Sequence, residues 1–266
     1  MTATNSAPVA IHDGPRGRIA IYADAAALAA AAAAAFARAV GDAVSTRGEA
    51  AVALSGGTTP RQMGELLAAE PYRSGVPWDR VAVFWGDERF VPLTDAESNA
   101  GTARRGWLDS LPVGPNRIFP WPTEGVTPEA AAMAYGRTVR EVVAGEPMPR
   151  FDLVLLGMGD DGHTASLFPG TAALRERNAV AVANLVPKLQ STRLTLTAPV
   201  LNAAREVIVL VGGAAKAAVL ASVLEGEERP EELPVQLIRP SAGRLSWLVD
   251  RAAAANLREP DGVHRG

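Results

Sequence analysis

Phe151-Asp152-Leu153-Val154-Leu155-Leu156, followed by Gly157-Met158-Gly159-Asp160-Asp161-Gly162-His163, is the stretch on which the fold turns. Six residues that are apolar apart from one aspartate read as a strand buried on both faces, and the glycines after it read as a tight turn at the strand's carboxyl end. The pattern recurs on either side. Ala50–Leu54 runs into Ser55-Gly56-Gly57-Thr58-Thr59-Pro60, with a helix to about Ala69. Val81–Trp85 ends in Gly86-Asp87-Glu88-Arg89, and Glu206–Val211 leads to Gly212-Gly213-Ala214-Ala215-Lys216 and a helix to about Leu224. Arg18–Tyr22, Arg193–Thr197 and Leu245–Val249 read as further strands. Helices are expected after Asp24, which can cap its alanine-rich successor, over 98–108, over 128–144, over 199–202 and over 250–257.

Continuous apolar strands separated by helices predict an α/β fold: one doubly wound, Rossmann-like domain, with a mostly parallel sheet covered by helices on both faces. The expected domain runs from 18 to 257, with flexible tails at 1–17 and 258–266. In such sheets a ligand sits beyond the carboxyl ends of the strands, which is where the glycine-rich turns fall.

Composition narrows the partners. The 266 residues carry a net charge of -3, with 48% hydrophobic and 21% charged residues. That is ordinary for a soluble globular chain and lacks the basic footprint of a nucleic-acid binder. There is no cysteine, hence no disulfide, thiol nucleophile or thiolate metal site. The first twenty residues contain no apolar run, and Ala25–Ala37, closed by Arg38, is too short and weakly apolar to span a bilayer. A cytoplasmic chain with no membrane partner is the expectation.

Four groups of residues can carry chemistry. Ser55-Gly56-Gly57-Thr58 opens a helix whose N–H groups and dipole suit a phosphate, although a capped tight turn explains the same residues. It is neither a Walker loop nor a dinucleotide fingerprint. Asp87-Glu88-Arg89 reads as a turn that either orients a sugar hydroxyl and an anion or makes a solvated ion pair. His163 is one of three histidines, and His12 and His264 lie near the chain ends. With Asp161 two residues away, His163 is a candidate general base or a structural cap. No second histidine is near enough in sequence to complete a metal site, so none is assigned. Lys188 and Lys216 are the only lysines, and Lys216 sits just inside a helix start, where a cation is disfavoured unless an anion binds.

Taken together, Leu54–Pro60, Trp85–Arg89, Asn99, Gly157–Pro169, Arg193–Thr197 and Gly212–Lys216 resemble the 6-phosphogluconolactonases, whose superfamily also contains the glucosamine-6-phosphate deaminases. The resemblance covers roughly residues 18 to 250 in order. Ser166-Leu167-Phe168-Pro169 and Asp87-Glu88-Arg89 follow the lactonase pattern; deaminases typically place a glutamate at the position of Phe168 and a tyrosine at that of Arg89.

The resemblance implies hydrolysis of 6-phospho-D-glucono-1,5-lactone without a cofactor. His163 would activate water, with Asp161, Asp87 and Arg89 around it. Ser55, Gly56, Gly57, Thr58, Arg193, Lys216 and Lys188 would hold the phosphate end. The division of roles between the two aspartates stays open, as does oligomeric state between monomer and weak dimer. A deaminase or isomerase using the same pocket and a silent sugar-phosphate binder are the rival readings.

Overall fold

The computed structural model describes residues 7–258. β1 (Ala10–Gly14) and β2 (Gly17–Tyr22) form an antiparallel hairpin in which Gly14 faces Gly17 across Pro15-Arg16. The tail expected over 1–17 is therefore corrected for 10–14. Gly14 and Pro15 of that stretch belong to the turn of a hairpin. α1 (Ala25–Arg47) starts at Asp24, whose Oδ1 accepts from Ala27 N at 2.9 Å. It continues ten residues past Ala37 and is long and apolar enough to cross a membrane by length and composition alone. Here Leu28, Phe36 and Val40 are instead fully buried against the sheet.

β3 (Ala50–Leu54), α2 (Thr58–Leu67) and the short α3 (Tyr72–Gly75) lead to β4 (Val81–Trp85). β5 (Asp87–Arg89) follows after the single residue Gly86. α4 (Asn99–Gly106) and α5 (Pro128–Val142) precede β6 (Leu153–Gly157). β7 (Ala181–Val186) and β8 (Ser191–Leu196) form a hairpin. α6 (Ala198–Ala203), β9 (Glu206–Val211), α7 (Ala217–Glu225) and β10 (Arg244–Asp250) complete the order. The helix expected over 250–257 is a series of turns instead, with the Asp250 carboxylate accepting from Gly213 N and Ala253 N.

Seven strands form the main sheet in the order β1-β2-β10-β9-β6-β3-β4, parallel throughout except for β1. Every residue of β4 and β9 is buried, as strands covered on both faces require. Each fully buried Leu, Val or Phe there contributes about 1.5–3 kcal/mol.

From β3 the chain moves outward to β4. It returns to β6 on the other side of β3, then continues through β9 to β10. The direction of winding reverses between β3 and β6, so a crevice opens beyond their carboxyl ends.

A second sheet, absent from the expectations, is antiparallel and ordered β5-β8-β7. The chain enters it directly from β4. At that junction Tyr135 Oη takes Trp85 N at 2.8 Å and donates to Trp85 O at 2.9 Å, closing the edge of the main sheet. Asp87, Glu88 and Arg89, read from sequence as a turn, are a strand paired with Thr195, Leu194 and Arg193.

Candidate active site

The alternation of β5 decides what its three charged residues do, since side chains two apart share a face. Asp87 and Arg89 face one way, into a cleft of ≈ 270 Å³ at the reversal point. Glu88 faces the other way and is fully buried. Its carboxylate accepts from Asn99 N (2.7 Å), Ala100 N (2.8 Å), Arg89 N (2.8 Å) and Ser98 Oγ (3.1 Å). Burial pushes this carboxyl upward against those donors. Glu88 therefore caps α4 and places Asn99, whose Nδ2 donates to Asp87 O at 3.0 Å.

The same cleft collects Ser55, Gly56, Gly57, Asp87, Arg89, His163 and Lys216 from the residues singled out in the sequence. Gly56 must be glycine, because a Cβ there would stand 1.9 Å from Asn99 Oδ1. α2 begins after Gly57 with no side-chain cap, which leaves its first N–H groups available to an anion. Thr58 lines an adjoining, more apolar pocket of ≈ 230 Å³ that shares Ser55–Gly57, Arg89 and Asn99 with the cleft. The side chain of Lys216, half-buried before α7, makes no hydrogen bond or ion pair among the described residues. Its loop is held by buried Asp250, which accepts from Gly213 N at 2.9 Å.

His163 is set by a closed loop. Gly159 N donates to His163 O (2.8 Å), and Thr164 Oγ1 donates to Gly157 O (2.7 Å). The imidazole stacks on Phe168 at 4.1 Å between centroids. A Cβ at Gly159 would fall 2.0 Å from His163 Nδ1, so the glycine makes room for the ring. Next to the ring, Ala165 lines the cleft at φ 45°, a left-handed conformation that costs a non-glycine residue about 1–2 kcal/mol.

Asp161 stands behind the imidazole, outside the cleft lining. Its Oδ1 lies 2.5 Å from His163 Nδ1, and its Oδ2 accepts from Lys188 Nζ at 2.9 Å. Burial raises this carboxyl, but bonds from Lys188 and His163 outweigh it and bring the group down to about 2. Lys188, grouped with the phosphate end from sequence, is an exposed partner of Asp161 and is not part of the cleft. Asp87 goes the other way. Burial lifts it above the usual carboxylate range, against the Ser166 hydrogen bond and the charges of Arg89, His163 and Arg193.

Arg193 is directly opposite Arg89 across β5 and β8, and its Nε is buried without a partner. Burial and the neighbouring Arg89 charge both lower it. Two adjacent guanidiniums without a carboxylate bridging them favour an anion between them. His12 lies on outermost β1, and His264 is outside the described residues. Among the described residues no group of three or more His, Asp or Glu side chains could hold a metal ion.

Sequence reasoning did not assign Glu88, Asn99, Ser166 or Asp250 to the site. The period-2 alternation of Asp87-Glu88-Arg89 was the available signal for Glu88. The other three depend on contacts across 12 to 79 residues.

Comparison with known proteins identifies the family. The family described as glucosamine-6-phosphate isomerases/6-phosphogluconolactonase matches residues 23–247. A 6-phosphogluconolactonase of Synechocystis is 44% identical over 81% of this chain and 88% of its own. One of Homo sapiens is 39% identical over 93% and 96%. The solved 6-phosphogluconolactonase of Trypanosoma brucei superposes with a TM-score of 0.80 at 31% identity, covering 94% of this chain and 100% of its own. The chain belongs to the glucosamine-6-phosphate isomerase/6-phosphogluconolactonase family, as a member of its 6-phosphogluconolactonase branch.

Proposed function

We propose that this enzyme hydrolyses 6-phospho-D-glucono-1,5-lactone to 6-phospho-D-gluconate in the cytoplasm, with His163 as general base and no cofactor. The observation that carries the reading is the bond between His163 and Asp161 beside an uncapped helix start and an unpaired lysine. A carboxylate only accepts, so the Nδ1 proton points at Asp161 and Nε2 is left basic.

Nε2 takes a proton from water as the water oxygen bonds to C1, and Arg89 faces the oxyanion that forms. As the intermediate collapses, the bond from C1 to the ring oxygen breaks and Nε2 returns the proton to that oxygen. The phosphate lies on the Ser55–Thr58 turn with Lys216, and Arg193 adds charge through its pairing with Arg89. Asp87 holds sugar hydroxyls. The ring of Phe168 on His163 favours lactone hydrolysis over deamination, since no carboxylate occupies that side of the imidazole.

The test is hydrolysis of freshly generated lactone by wild type and His163→Ala beside an enzyme-free control, because such esters open unaided. A rate above the control that drops by roughly 10²-fold or more in the variant supports the reading. A wild-type rate equal to the control refutes it, and ammonia release from glucosamine 6-phosphate would establish the deaminase instead.

A further inference from the structure

Ser166 is three residues beyond His163, only 2% exposed, and does not line the cleft. Its three polar atoms go to the three strands of the small sheet. The N–H donates to Thr195 Oγ1 on β8 at 3.3 Å, the carbonyl accepts from Asn184 Nδ2 on β7 at 2.9 Å, and the hydroxyl donates to Asp87 Oδ2 on β5 at 2.7 Å. Thr195 and Asn184 are themselves buried. Between this anchor and His163 stands Ala165 in its left-handed conformation. Such a conformation persists where the surroundings over-determine it, and three bonds to three strands do so.

The hydroxyl bond also selects between the two oxygens of Asp87. Oδ2 is taken by Ser166, while Oδ1 lies 3.5 Å from Asn99 Nδ2 on the cleft side. Arg89 on the same strand, Arg193 on β8 and, once protonated, His163 on the loop bring positive charge to Asp87, and Glu88 is its acidic neighbour on β5. Only Ser166 joins Asp87 to the His163 loop through a hydrogen bond among the described residues.

We propose that Ser166 is a positioning residue for the reaction: its hydroxyl, donated from the His163 loop, presents Asp87 Oδ1 to the substrate hydroxyls and fixes the spacing between Asp87 and His163. The proposal rests on the assignment of Asp87 and His163 to the site.

The experiment is a double-mutant cycle of Ser166→Ala and Asp87→Asn, read as kcat and KM, with melting temperatures alongside. Ser166→Ala is expected to lower kcat by about tenfold or more, the cost of a lost bond to a buried charged group, with KM nearly unchanged. In the Asp87→Asn background the serine substitution changes kcat by less than about twofold.

Ser166→Cys, similar in size with a weaker donor, shows the same kcat loss coupled to Asp87 and serves where the alanine variant does not fold. An equal loss of kcat with and without Asp87, or a loss confined to KM, overturns the proposal. Wild-type kinetics in Asp87→Asn alone would remove the site assignment. A slow Asp87→Asn beside an unaffected Ser166→Ala would remove Ser166 only.

Discussion

His163 and Asp161 share one short contact, Nδ1 to Oδ1 at 2.5 Å, and Lys188 occupies the other oxygen of the same carboxylate at 2.9 Å. Asp161 thereby fixes both the tilt and the tautomer of the ring, and Lys188 keeps it ionised. Asp161→Asn offers an amide that can turn its NH₂ toward Nδ1, which stabilises the wrong tautomer. The expected loss in kcat is roughly 10²-fold with KM little altered. Steady-state kinetics that show kcat within twofold of wild type would contradict the role.

The same aspartate makes a prediction about acid stability. Its folded value of about 2 is below the ordinary one, so its contribution is present above the unfolded value, near 3.9, and is lost as pH falls toward 2. Denaturant unfolding at pH 6 and pH 3 should show Asp161→Asn costing of order 2 kcal/mol at the higher pH and visibly less at the lower. Equal costs at both would rule out the linkage.

Asp87 and Glu88 are adjacent, both raised by burial, and should answer oppositely to amide substitution. Asp87 pays for ionisation in a buried wall of the cleft. The stability linked to its raised value is present below the unfolded value and lost as pH rises through the folded one. Asp87→Asn should therefore melt a few degrees higher at neutral pH while turning over substrate more slowly. Glu88→Gln would turn an NH₂ toward donors that now find an oxygen, at a cost of about 1–3 kcal/mol, and would release Asn99. Thermal melts of the two variants moving in the same direction would contradict this contrast.

At the phosphate end, Lys216→Ala should raise KM by roughly 10-fold with kcat within a factor of about three. Asp250→Ala should act in the same direction by loosening Gly213, the residue that starts the Lys216 turn. An effect of Lys216→Ala confined to kcat would show that the lysine serves the ester and not the phosphate.

Most of the parallel sheet was legible because its central strands β3, β4, β6 and β9 are almost wholly apolar and each runs into a glycine-containing turn. The Ser55–Thr58 turn and His163 became candidates from that reading, since the ends of such strands are where ligands bind. The small sheet was not legible. β5 is three charged residues, and a strand of that length carries too few positions for its alternation to stand out from a turn. β7, with Asn184 turned inward among apolar neighbours, hides in the same way. Glu88, Ser166 and Asp250 received no role of their own from the sequence for a related reason. Each is a polar residue whose value lies in the backbone it holds, and nothing local in the sequence marks that partner.

The direct step from Trp85 through Gly86 into Asp87 separates two kinds of recognition. On the proposed reading, the parallel sheet meets the ligand at its turns: the phosphate on the N–H groups after β3 with Lys216 after β9, and the ester on His163 after β6. The three-stranded sheet would meet the sugar through side chains, Asp87 and Arg89 with Arg193 beside them, so each replacement there would alter what is recognised. A drift toward a different sugar acid would accordingly be recorded on β5 and β8 first, while the turns after β3 and β9 went on gripping any ligand that carried a phosphate.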